Sequence, residues 1–341
     1  MHTYTITGSS GKSHILLGES LSRLTTYIKQ RPCILVTDDQ VYPLYRDYFP
    51  ECPVVVIGTG EGIKTLETLH TIYQQCLDAD LDRSALIVAI GGGIVCDIAG
   101  FAASTYLRGL QFGFVPTTLL AQVDASVGGK NGVNFQGYKN LIGTFTQPEF
   151  VLIDFTVLKT LPPRTLGCGI AEAIKHGAIA DPDLFEFMEH HAINIRQLLP
   201  EAIERIVHDS ITIKSSIVNQ DEKEHGERRK LNFGHTFGHA IEKTLKLPHG
   251  ESVALGMVTA AQLSQQRGYL SCDDVQRLVT VLKAYDLPTT VAADKTALKT
   301  AMRKDKKRYG NAIKFILLTQ IGQSTIERVS LKELEMVVDR L

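Results

Sequence analysis

The chain has 341 residues, of which 44% are hydrophobic and 21% charged, and its net charge is −1. That length suffices for two domains with cores of their own, and the composition is that of an ordinary soluble enzyme. Near-neutral charge gives no reason to expect nucleic acid or an acidic membrane surface as partner, and no apolar run approaches the roughly 20 residues of a membrane helix.

Met1–Gly11 is polar and lacks the cationic start and apolar core of a signal peptide. Five short apolar runs follow, each ending in polar or small residues. Cys33–Thr37 leads into Asp38-Asp39, Val54–Gly58 into Gly60-Glu61-Gly62, and Ala85–Ile90 into Gly91-Gly92-Gly93. Phe112–Val115 leads into Pro116-Thr117-Thr118, and Phe150–Asp154 closes the series. Amphipathic stretches such as Ile63–Leu77 lie between them. This rhythm predicts an α/β domain with a mostly parallel sheet, whose strand ends carry ligand loops.

Beyond Leu161-Pro162-Pro163 the periodicity becomes helical. Helices are expected over Leu166–Ile179, Pro182–His191, Ile195–Asn219, Leu231–Leu245, Ser252–Gln266 and Asp273–Tyr285, and a strand over Ala312–Leu318 as half of a hairpin. The expected division is a nucleotide-binding α/β domain over residues 1–156 and a mainly α-helical metal- and substrate-binding domain over 157–341. The site is expected in the cleft between them. The six cysteines, Cys33, Cys52, Cys76, Cys96, Cys168 and Cys272, form no C-x-x-C pair. That pattern predicts reduced thiols and a cytoplasmic location, not a disulfide framework or a cysteine zinc site.

The chemistry lies in four stretches. Gly91-Gly92-Gly93 follows a strand and opens a helix, so backbone amides can approach a pyrophosphate at a positive helix end. It is not G-x-G-x-x-G, and a tight turn would read the same way. Acids at the neighbouring strand ends, Asp38, Asp39 and Glu61, suit ribose hydroxyls and disfavour a 2′-phosphate, which points to NAD over NADP. The second stretch, Gln122–Lys130 with Lys139-Asn140 after it, reads as a flexible glycine-rich loop bearing cations for phosphate or carboxylate oxygens. The third places Glu172 and Lys175 at i and i+3 on a helix apolar around most of its circumference, so a buried carboxylate there needs a cation. The fourth holds His235, His239 and His249. One carboxylate, two imidazoles and an open position make a catalytic zinc site, although spacing leaves open which two histidines take part. There is no H-E-x-x-H, which argues against a metalloprotease. Lys304–Arg308 is a basic run, read either as a solvated face or as carrying an anion-site lysine.

Together these stretches resemble the 3-dehydroquinate synthase family of sugar phosphate cyclases. The resemblance rests on Gly-Gly-Gly-x-x-x-Asp97, on Pro116–Lys130 and Lys139-Asn140, and on Leu161–Arg164 and Ala171–Lys175. It extends through Leu231–His239, His249–Glu251 and Asp305–Lys307. The likeness implies Zn2+ or Co2+ held by Glu172, His235 and His249. It implies NAD contacting Asp38, Glu61, Lys64, Gly91, Gly92, Asp97, Thr117, Thr118, Asp124, Lys139, Thr160 and Leu161. For substrate and catalysis it implies Asp124, Lys130, Asn140, Lys175, Lys214, Arg228, Asn232, His239 and Lys306. Arg108 would reach the neighbouring subunit's site in a homodimer. Asn131 and Phe135 depart from the family's usual residues. The activity implied is conversion of 3-deoxy-D-arabino-heptulosonate 7-phosphate to 3-dehydroquinate. The rivals are another cyclase, of valiolone or deoxy-inosose type, a metal-dependent polyol or glycerol phosphate dehydrogenase, and a non-catalytic binding protein.

Overall fold

The computed structural model describes residues 2–290, 292, 294–303, 308–309 and 312–339. The chain forms two compact units, Met1–Leu161 with Lys214–Lys223, and Pro162–Ile213 with Glu224–Leu341. The units divide at 161/162, near the 156/157 boundary expected from sequence, and residues 214–223 return to the first unit.

The first unit is built on nine strands: β1 His2–Gly8, β2 Gly11–Leu17, β3 Cys33–Asp38, β4 Val54–Ile57, β5 Leu86–Gly91, β6 Gln111–Pro116, β7 Lys130–Phe135, β8 Tyr138–Phe145 and β9 Phe150–Ile153. Seven of them make one sheet in the order β1-β2-β9-β6-β5-β3-β4. Only the β1–β2 pairing is antiparallel. Every residue of β3 and β5 is buried, as befits parallel strands covered on both faces. The five expected strands are present, and four that the sequence hid are added: β1 and β2 in this sheet, and β7 and β8 apart from it. In β1 only Ile6 is buried, so this edge strand carries almost no apolar signal. The stretch read as a flexible loop is ordered: a π-helical turn at Ala121–Ala125 leads into a β7–β8 hairpin. Its alternation is masked by glycines and by the exposure of β8, and Gly132 and Gly143 pair so closely that no Cβ fits between the strands.

One end of the segment Lys214–Lys223 is held in the first unit by a carboxylate. Glu222 accepts hydrogen bonds from the Ser9 N–H (2.8 Å), Ser9 Oγ (2.7 Å), Ser10 Oγ (2.7 Å) and Gln147 Nε2 (3.0 Å). Burial alone would raise its pKa, but these donors outweigh it and hold the carboxyl at about 2.

The second unit is mainly helical. The Pro163–Ala180 helix is buried continuously from Leu166 to Ile179 and packs on the His249–Gln266 helix, which packs in turn on the His235–Leu245 helix. A three-stranded antiparallel sheet, β10 Arg308–Tyr309, β11 Ala312–Gln320 and β12 Gln323–Ser330, supplies the hairpin expected near residue 312. Two expected helices are broken. Leu198 has φ +55 and Pro200 starts a new helix, so Ile195–Asn219 is not continuous. Gly234 has φ +78, which ends the turn Glu227–Asn232 and starts a fresh helix at His235. A Cβ on Gly234 would lie 2.7 Å from Met257 Cγ, and one on Gly256 would lie 1.9 Å from the Gly234 carbonyl. Backbone therefore packs on backbone where the two histidine helices meet. Among the described residues no helix is long and apolar enough to cross a membrane.

The Glu222 cluster predicts a signature in acid. Its folded-state pKa lies below the ordinary value of 4.5, so its contribution to stability is complete above that value and is lost as pH falls toward about 2. Urea midpoints measured between pH 6 and 2 should fall less steeply for Glu222→Gln than for the wild type. Parallel curves would show that this carboxylate contributes nothing to the acid limb.

Candidate active site

In the second unit Glu172 and Lys175 lie one turn apart on the buried Pro163–Ala180 helix, at 0% and 1% side-chain exposure, and are ion-paired through Glu172 Oε2. The other oxygen, Oε1, is approached by His235 Nε2 at 3.6 Å and His249 Nε2 at 3.5 Å. These separations are long for hydrogen bonds. They suit a shared ion: tetrahedral bonds of about 2.1 Å place neighbouring donor atoms about 3.4 Å apart. The three ligand atoms lie within 4.8 Å of one another. Each histidine is the first residue of its helix. His235 Nδ1 faces the Phe233 carbonyl at 3.2 Å, and a proton there leaves the Nε2 lone pair directed at the cluster.

His249 Nδ1 faces Glu242 Oε2 at 3.4 Å. Burial would lower the His249 pKa, but the flanking carboxylates of Glu172 and Glu242 outweigh it and push the pKa up to about 9. The pocket thus attracts a cation, and a proton serves when no metal is present. His239, one turn beyond His235, is exposed and groups with Glu242 and His249 instead of Glu172. The set that converges on Glu172 is therefore buried His235 and half-buried His249, a choice that spacing alone had left open. Arg228 is buried, and Asn232 Nδ2 donates to Glu224 Oε1 at 2.5 Å. Sequence reasoning missed Glu242 and Glu224. Glu242 stands at i+7 from His235 and i+3 from His239, so helical spacing does place it on the histidine face; Glu224 sits in a polar run with no such signal. Lys306 lies outside the described residues.

In the first unit the triple glycine is sterically required. A Cβ on Gly91 would lie 2.6 Å from Val95 Cγ2, one on Gly93 2.8 Å from Ala125 Cβ, and one on Gly92 3.1 Å from Thr118 Cγ2. Gly92 caps the Gly93–Thr105 helix without a side-chain bond, which leaves first-turn N–H groups for an anion. Thr117 N–H donates to the Gly91 carbonyl at 2.9 Å. Asp97, one turn into that helix, is paired with buried Lys64; burial pushes the Asp97 carboxyl up and the lysine opposes that push.

Asp38 ends β3 and accepts the N–H groups of Gln40 (3.0 Å) and Val41 (2.8 Å), while burial raises its pKa. Glu61 follows β4 and meets Lys139 at 3.6 Å. Asp124, in the π-helical turn, pairs through Oδ1 and its carbonyl with Lys214. Lys130 begins β7, and Asn140 lies on β8 at φ +48. Thr160 Oγ1 meets the Tyr45 hydroxyl at 2.7 Å, with Leu161 next in the chain. Arg108 is exposed on a turn at φ +68.

Family models described as 3-dehydroquinate synthase N-terminal and C-terminal match residues 54–168 and 169–308. The chain belongs to the 3-dehydroquinate synthase family. A 3-dehydroquinate synthase of Halorhodospira halophila (strain DSM 244 / SL1) is 44% identical over 301 residues, 86% of this chain and 85% of that one. A crystal structure of 2-deoxy-scyllo-inosose synthase with carbaglucose-6-phosphate, NAD+ and Co2+ superposes with TM-score 0.90 at 27% identity, covering 99% of this chain and 100% of that one. 2-Epi-5-epi-valiolone synthase from Streptomyces hygroscopicus subsp. jinggangensis 5008, with NAD+ and Zn2+, superposes with TM-score 0.88 at 27% identity, covering 96% and 95%. The other cyclases thus share the architecture, but identity to 3-dehydroquinate synthase is much higher. That difference disfavours the cyclase rivals.

Removing one partner of a buried ion pair leaves an uncompensated charge, which costs more than losing both. In metal-free protein of this family member, Lys175→Met should lower the urea unfolding free energy by about 3 kcal/mol. The double variant Glu172→Gln/Lys175→Met should recover at least half of that loss. Equal losses in both would show that the pair is not the source of the effect.

Proposed function

We propose that the chain converts 3-deoxy-D-arabino-heptulosonate 7-phosphate to 3-dehydroquinate and phosphate, with NAD and one Zn2+ or Co2+ ion, as a cytoplasmic homodimer. The observation that carries this reading is the convergence of His235 and His249 on one oxygen of buried Glu172, in a chain of this family. In the proposed division of labour residues 1–156 bind the nucleotide, and residues 157–341 bind metal and substrate.

Glu172, His235 and His249 would hold the metal, with Glu242 fixing the His249 ring. Gly91, Gly92 and the helix behind them would receive the pyrophosphate. Asp38, Glu61, Lys64, Asp97, Thr117, Thr118, Lys139, Thr160 and Leu161 would surround the rest of the nucleotide. When bound, the metal would polarise the C5 hydroxyl, and NAD would serve as a reversible hydride acceptor, regenerated in each turnover. The C5 ketone acidifies the adjacent C–H, so phosphate leaves by β-elimination; C5 is then reduced, the ring opens and an intramolecular aldol closes the carbocycle.

This chain's own residues would hold the substrate through these steps. Lys130, Asn140, Lys175, Lys214 and Lys306 would supply donors to its anionic and hydroxyl oxygens. Arg228 would bind a carboxylate through two parallel hydrogen bonds, with Asn232 and His239 beside it. Asp124 would orient Lys214, as it does through their ion pair. Arg108, presented on its exposed turn, would serve the partner subunit's site.

The test is phosphate release from the heptulosonate phosphate with NAD at catalytic amounts. Activity should vanish on chelation and return with zinc or cobalt, with no net NADH. Stoichiometric NADH would favour a dehydrogenase, and comparable turnover of sedoheptulose 7-phosphate or glucose 6-phosphate would favour another cyclase. Arg228→Ala should lower kcat/KM by about 3 kcal/mol, because a charged partner loses its paired donor; an unchanged value would remove Arg228 from the substrate set.

A further inference from the structure

Asn134, on β7 of the first unit, has no part in the assignments above, yet its polar groups reach three residues that do. Its backbone N–H donates to the Lys64 carbonyl at 2.8 Å. Its side-chain Nδ2 donates to Glu61 Oε1 at 2.8 Å, and its Oδ1 accepts the Asn140 N–H at 2.9 Å. Lys139, the next residue along β8, reaches the other Glu61 oxygen at 3.6 Å. Glu61 is thus gripped from both strands of the hairpin.

The geometry also accounts for the residue type. Asn140 has φ +48, a left-handed conformation that asparagine tolerates better than most residues, and its N–H in that conformation is taken up by Asn134 Oδ1. The hairpin turn between them is left-handed at Gln136 (φ +47) and Gly137 (φ +76). Asparagine offers one donor and one acceptor on a short, planar head. Aspartate would keep the acceptor but set a second carboxylate against Glu61. Leucine would fill the space and supply neither group.

We propose that Asn134 is a positioning residue that joins the nucleotide segment Glu61–Lys64 to the Lys139–Asn140 segment of β8, so that both are set before either ligand arrives. This rests on the functional reading above, which gives Glu61 and Lys64 to NAD and Asn140 to the substrate. Pre-setting these groups lowers the ordering cost of binding and leaves the chemical step alone.

The test compares wild type, Asn134→Ala and Asn134→Asp by NAD titration without substrate, by hydrogen exchange at the Asn140 amide in the free protein, and by steady-state kinetics. For Asn134→Ala the NAD dissociation constant and the KM for heptulosonate phosphate should each rise about fivefold, while kcat stays within about twofold. Exchange at Asn140 should quicken in Asn134→Ala and stay near the wild-type rate in Asn134→Asp, whose NAD affinity nonetheless falls. A lowered melting temperature with NAD affinity, KM and Asn140 exchange all unchanged would reduce Asn134 to a structural residue and overturn the inference. So would a loss confined to kcat. A wild type that neither binds NAD nor releases phosphate would bring down the functional reading, and this inference with it. A wild type that does both beside an indifferent Asn134→Ala would sink this inference alone.

Discussion

The second unit is organised around one buried charge. Glu172 is fully enclosed in a helix whose other faces pack against apolar neighbours. A carboxylate does not stay ionised there without cations: Lys175 pairs with one oxygen, and two imidazoles stand around the other at ion-sharing distance. The histidines meet that demand only because each opens its own helix and the two helix starts are brought together. Gly234 and Gly256 permit that approach, since a side chain at either position would strike backbone. Two glycines therefore decide whether three ligands can converge, although neither touches them.

The histidine helices also explain why the site takes an ion instead of closing on itself. Distances of 3.5 and 3.6 Å between Glu172 Oε1 and the two Nε2 atoms are too long for strong hydrogen bonds and leave a space between donors. Glu242 sits behind His249 and makes that imidazole a better base. The same carboxylates that would tighten a metal raise the proton affinity of His249, so protons and metal ions compete for one place.

What the sequence disclosed depended on how strongly each element was constrained. Buried parallel strands such as β3 and β5 are apolar throughout, and their polar ends mark the ligand loops, so the α/β half was legible. The triple glycine at the end of β5 was legible too, and packing explains it: Val95 and Ala125 leave no room for a Cβ at Gly91 and Gly93, and Thr118 crowds Gly92. Edge strands were not, because β1 buries one residue of seven and β8 buries none fully. The β7–β8 hairpin reads as a loop in sequence because Gly132 and Gly143, which serve close strand pairing, interrupt its apolar alternation. Which two histidines join Glu172 was not legible from spacing alone and came only with the resemblance; the structure separates them by placing exposed His239 away from Glu172. Helix ends at Gly234 and Leu198 depend on backbone conformations that periodicity does not carry.

The lysines show how an anion site can persist in a folded protein without its ligand. Lys64, Lys175 and Lys214 are each buried, and each is paired with a carboxylate: Asp97, Glu172 and Asp124. An unpaired ammonium in such places would shed its proton or draw in water. Pairing gives the ammonium a partner and restricts its stem, so less conformational entropy remains to be lost on binding. An arriving phosphate or carboxylate then finds donors already charged and aimed. It has to compete with the resident carboxylate, so affinity arises from the difference between two strong interactions. Under the proposed assignment, a substrate bearing two anionic groups would draw on more of these lysines than one bearing a single charge. Such selection by charge number would follow from the same burial that makes the lysines need partners at all.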